Sequence, residues 1–170
     1  MFFSVFGGAW LVLWASAEFT RPGWPIAAIA LATAGLLAAS VRVYRHHKPA
    51  LAAVAQSPEE RRRSHAFGFI NGAQWALIAL LVFALARSGP QAYIVPGIVL
   101  IVGLHFIPMA LVFSYRPHFV TGAALTLWPL LYVPLAGPAS GIGPLGAGIV
   151  LWCSAAWAIR PPASPVERAA

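Results

Sequence analysis

Between Gln91 and Ser114 the chain reads QAYIVPGIVLIVGLHFIPMALVFS, 24 residues without an acid, a lysine or an arginine. A helix rises about 1.5 Å per residue, so this run can cross the roughly 30 Å hydrocarbon core of a bilayer. The run is continuously apolar rather than apolar at every second residue, which excludes the alternation of a membrane β-barrel strand. Comparable runs recur along the whole chain. The fold class expected is therefore all-α: a polytopic membrane protein with a bundle of about six transmembrane helices over residues 2–19, 24–44, 66–86, 92–114, 119–135 and 144–159. Composition agrees, since only 9% of the 170 residues are charged and 60% are hydrophobic. A soluble domain carries about 25% charged residues, and this chain lacks the charge to solvate a globular surface.

The net charge of +7 does not point to nucleic acid, because the basic residues cluster between the apolar runs. There they set orientation. The connection from Arg45 to Ser64 holds Arg45, Lys48, Arg61, Arg62 and Arg63. Placing it inside makes both termini cytoplasmic and leaves only Arg21 and Arg87 outside, an N-in/C-in topology in a bacterial-type inner membrane. Residues 1–160 then form one transmembrane domain, and 161–170 a disordered cytoplasmic tail with three prolines from Pro161 on. Ala15-Ser16-Ala17 resembles a signal-peptidase site, but no Lys or Arg precedes the first apolar run, so span one is expected to be retained.

Ser57-Pro58-Glu59-Glu60 has the form of a helix start, with Ser57 as N-cap, Pro58 at N1 and Glu60 completing a capping box. The third helix is thus expected to begin before its membrane span. Arg61, Arg62 and Arg63 would lie at the lipid headgroups, each gaining about 1 kcal/mol from anionic lipid. Gly68 and Gly72 spell G-x-x-x-G, which predicts a helix pressed against that face, and Gly35 with Ala39 allows a similar approach in the second span. Trp10 and Trp14 share one helical face and read as packing or lipid contacts. Cys153, the single cysteine, reads as a buried, inert thiol that can form no intramolecular disulfide.

The polar residues worth arguing are few. Arg87-Ser88-Gly89-Pro90 is a tight connection, so spans three and four should be antiparallel neighbours. Gln74 lies 15 residues before Gly89 and His105 lies 16 after it, so the two reach similar depth. Asn71 is about one helical turn nearer the basic end. A polar group in hydrocarbon without a partner costs several kcal/mol, and an ionisable one inside a span marks a functional site by default. Asn71, Gln74 and His105 are therefore the candidate ligand or proton site. Pro108 cannot donate to the Leu104 carbonyl, which leaves that oxygen open to a side chain or water.

Other chemistries have less to stand on. The carboxylates Glu18, Glu59, Glu60 and Glu167 all lie outside the apolar interiors, so no catalytic pair is expected and the chain leans away from being an enzyme. His65 and His118 are placed at the cytoplasmic boundary without acids beside them, and no metal or other cofactor is expected. His105 alone among the histidines lies clearly inside a span, which argues against a bis-histidine haem. Gly141-Ile142-Gly143-Pro144-Leu145-Gly146 matches a dinucleotide fingerprint in letters, but follows no strand. The reading that results is handling or transport of a small solute or proton at the intramembrane polar site. The alternative is a non-catalytic membrane component, packing against a second copy or another membrane protein, whose polar residues only set helix contacts.

Overall fold

A computed structural model describes residues 1–54 and 57–160, with side chains outside that description at 47 and 49–54. Among the described residues there are six α-helices and no strand: α1 Phe2–Glu18, α2 Gly23–Val54, α3 Pro58–Ser88, α4 Ile94–Phe113, α5 Arg116–Ala136 and α6 Ile142–Ala158. A single 3₁₀ turn, Gln91–Tyr93, leads into α4. Four helices, α2 to α5, are long and apolar enough to cross a membrane, and α1 and α6 are shorter apolar helices of 17 residues. At about 1.5 Å per residue those two reach roughly 25 Å, the lower end of what spans a bilayer.

Each of the six apolar runs lies in one helix, and one connection changes character. α2 does not stop near Tyr44 but continues to Val54, so most of the basic stretch expected as a connection is helical. α3 begins at Pro58, well before its apolar part, as the Ser57 signal implies. The Ser57 hydroxyl accepts from the Glu60 N–H at 3.1 Å. The return half of the capping box is not made; the Glu60 carboxylate turns to Arg63 at 3.9 Å, and Arg63 pairs more closely with Glu59 at 2.6 Å. Arg61 and Arg62 are exposed and unpaired among the described residues. The tail at 161–170 lies outside the described residues.

Packing is carried by small residues, because without water between helices it is close backbone approach that supplies contact. α1 and α6 cross at Gly7 and Gly148; a Cβ on Gly7 would stand 3.1 Å from the Gly148 carbonyl and 2.5 Å from the Trp152 ring. The Trp152 indole N–H donates to the Ser4 carbonyl at 3.2 Å across the same crossing. α4 and α5 cross at Gly103 and Gly122; a Cβ on Gly103 would meet the Thr126 backbone nitrogen at 2.5 Å. α5 and α6 are joined by a Thr121–Ser154 hydroxyl bond of 2.7 Å, and by the Trp128 indole N–H donating to the Gly143 carbonyl at 3.1 Å. The dinucleotide-like glycines find a steric explanation here: Gly143 and Gly146 make room for Tyr132 and Trp128. Val99, Phe106, Leu125, Ala147 and Leu151 form the core where α4, α5 and α6 meet.

α2 and α3 are attached differently. α2 packs mainly on α1, and α3 packs on α4, where Gly97 admits the Leu81 side chain. Among the described residues α3 makes no extensive contact with α1 or with α2. A Cβ added at Gly68 or Gly72 would meet no described neighbour within 4 Å, and the same holds at Gly35. The helix expected against the G-x-x-x-G face is thus not supplied by the described residues. Gln74 is the buried residue of α3, so that helix touches the bundle along the stripe through Gln74, and the two glycines lie on another side. Cys153 also departs from expectation: it is exposed, because the buried positions Leu151 and Ala155 put it on the opposite face of α6.

Candidate functional site

The gap between α1 and α3 is a cavity of about 620 Å³. Helical periodicity aims one face of each surrounding helix into it. α3 contributes Phe67, Asn71, Gln74 and Ile78, spaced by three and four residues, together with Trp75. α4 contributes Ile98, Val102, His105, Met109 and Phe113 at the same spacing, together with Phe106. Phe2, Phe3, Phe6, Ala9, Trp10 and Leu13 of α1 form the third wall. Leu151 of α6 and His118 of α5 complete the lining. Trp10, expected to be a packing residue, both packs on the core and lines this space.

The three residues singled out by depth and polarity, Asn71, Gln74 and His105, are brought to this one cavity. Gln74 is only 8% exposed, and its Oε1 has no hydrogen-bond partner. No hydrogen bond joins Gln74 to His105. Instead the His105 Nδ1 lies 2.6 Å from the Val102 carbonyl, one turn back in its own helix. A carbonyl can only accept, so Nδ1 carries the proton, and in the neutral ring Nε2 is left as a bare acceptor. The carbonyl used is that of Val102, not the Leu104 carbonyl freed by Pro108.

His118 is the member that sequence reasoning did not connect to the site. The expected boundary residue lines the cavity because of the turn before it. Ser114 closes α4 in the left-handed conformation, with φ of 49° and ψ of 36°. The Tyr115 N–H bonds the Ala110 carbonyl at 3.1 Å, a Schellman-type stop with serine where glycine is usual. A left-handed non-glycine residue costs roughly 1–2 kcal/mol, a strain the surrounding structure must hold. Arg116 and Pro117 then start α5 at once, and His118 folds back onto α4. Its ring lies 5.7 Å from Phe106, 5.8 Å from Phe3 and 4.9 Å from Tyr115, centroid to centroid. Phe106 in turn lies 4.2 Å from the His105 ring, so one phenyl touches both imidazoles. The His118 Nδ1 is buried without a partner. The signal available in the sequence was Arg116-Pro117 directly after Tyr115, a helix start too abrupt to leave His118 in a loop.

Among the described residues no acid, lysine or arginine lines the cavity. The site is an aromatic and aliphatic chamber holding a few unmet hydrogen-bonding groups, the composition typical of small-molecule pockets, which run from roughly 300 to 1,000 Å³. It can accept and donate hydrogen bonds and take up a proton at an imidazole. Among the described residues no three His, Cys, Asp or Glu side chains come together. The chamber runs from Phe2, Phe113 and His118, at the end marked by Arg61, Arg62 and Arg63, to Leu13, Ile78 and Ile98 deeper in the bundle. Comparison with protein-family models, curated proteins and solved structures finds no match for this chain.

Proposed function

We propose that this helical membrane protein binds a small solute within the bilayer at the chamber walled by Asn71, Gln74 and His105, and moves that solute or a proton through it. One observation carries the reading. Gln74 is buried beside open space with its carbonyl oxygen unpartnered. An amide retained only for packing would be bonded to its neighbour, since an unmet buried polar group costs about 1–3 kcal/mol. Here His105 satisfies itself on its own helix, and the amide is left for a guest or for water. The topology that fits is N-in/C-in in an inner membrane, with Arg61 and Arg62 at the cytoplasmic headgroups.

The test is a His105→Cys variant in a Cys153→Ser background, treated with a membrane-impermeant thiol reagent from each side in turn. The reading expects labelling from the side bearing Arg61–Arg63. A folded variant that labels from neither side would remove it.

A second reading has its own observation. Gly68 and Gly72 face outward with nothing within 4 Å, and exposed glycines at this spacing suit a helix from a second copy. On that reading the protein is a membrane assembly component. Gly72→Leu would then abolish self-association in a cross-linking experiment and leave labelling at position 105 unchanged.

A further inference from the structure

We propose that the guest of this chamber is a neutral, lipid-soluble ring compound bearing a hydroxyl, a phenol or quinol in class, which enters sideways from the bilayer between α1 and α3. This rests on the binding reading above and names its ligand. Three features select the class. The chamber presents aromatic faces from Phe3, Phe6, Trp10, Trp75 and Phe106, surfaces on which a planar ring stacks. Among the described residues it holds no acid or base of fixed charge, so an ion would enter without a counter-charge at a cost a neutral molecule avoids. Its one tautomer fixed by structure, His105, offers an acceptor at Nε2, which calls for a donor on the guest; a ketone or ether has none.

The route follows from what α1 and α3 leave open. The two helices make no extensive contact among the described residues, and the residues at the lips belong to the chamber and to the outer surface at once. Phe2 is 72% exposed and Trp75 51%. A gap edged by apolar side chains at membrane depth opens on acyl chains, so what arrives through it is already dissolved in the bilayer. Gln74, deep in the same chamber, supplies a second polar contact for the hydroxyl end.

The experiment uses the full chain in lipid nanodiscs. Two probes are titrated while tryptophan fluorescence is read: 2-bromo-4-nonylphenol and its methyl ether, 2-bromo-4-nonylanisole. Bromine quenches on contact, and Trp10 and Trp75 line the chamber. Saturable quenching by the phenol is expected, with the ether about tenfold weaker for want of one hydrogen bond to a buried acceptor. A Trp10→Phe, Trp75→Phe double variant should lose the saturable part and keep the linear part due to probe dissolved in lipid. His105→Gln, which keeps an acceptor, should retain the preference for the phenol, and His105→Leu should abolish it. Equal affinity for the two probes would overturn the proposal. Quenching that is linear for both probes would overturn it too. If position 105 is labelled from the aqueous side in that case, the binding site stands and only the ligand class falls; if it is not, both fall.

Discussion

Glycine behaves in opposite ways in the two parts of this molecule. Along α1, α4, α5 and α6, glycines sit where two backbones touch: Gly7 on Gly148 and Gly103 on Gly122. Along α2 and α3, Gly35, Gly68 and Gly72 face open space. The first set carries no recognisable motif between helices, yet fixes the bundle. The second contains the one G-x-x-x-G the eye finds first, and no described part of the chain packs on it. The difference teaches that close approach is a property of two facing surfaces. A spacing within one helix shows only that such an approach is available.

That contrast can be broken by substitution. The largest effect is expected at Gly103→Val, because the nearest atom to a new Cβ is backbone, the Thr126 nitrogen, and cannot turn aside. A loss of about 3 kcal/mol or more is expected in a denaturation titration of the detergent-solubilised protein. Gly7→Ala meets a tryptophan ring and a carbonyl, and should cost about 1–3 kcal/mol by the same titration. Gln74→Leu should go the other way. Removing an amide with no partner should stabilise the protein by about 1 kcal/mol and at the same time abolish saturable probe binding. A residue whose loss stabilises the fold and removes binding is one retained for a guest. The smallest effect is expected at Gly72→Ala, within about 0.5 kcal/mol, because no neighbour stands where the methyl would go. A cost at Gly72 equal to that at Gly103 would erase the distinction.

The helices themselves were legible, since a run such as Ile94–Phe113 has no other stable form in a bilayer. The Ser57 cap and the pairing of α3 with α4 were legible for the same reason: each follows from local chemistry or a short connection. The shared depth of Gln74 and His105 followed from counting about the turn at Gly89. Their failure to bond was not readable, because helix rotation and the choice of the Val102 carbonyl depend on packing around the whole bundle. His118 was read only as a boundary residue; the left-handed Ser114 and the immediate start of α5 turn it toward the cavity. The chamber as a whole depends on the gap left between α1 and α3 among the described residues, a long-range arrangement that no local pattern encodes.

The most direct test compares two neighbours on α3. Asn71 lines the chamber, whereas Gly72, one residue on and about 1.5 Å deeper, looks away from it. Each is changed to cysteine in a Cys153→Ser background and exposed to a membrane-impermeant thiol reagent from the side bearing Arg61–Arg63. The account predicts rapid labelling at 71 and none at 72, because depth is shared and only the facing surface differs. Equal labelling at the two positions, or labelling at 72 alone, would contradict a guest-accessible chamber between α1 and α3.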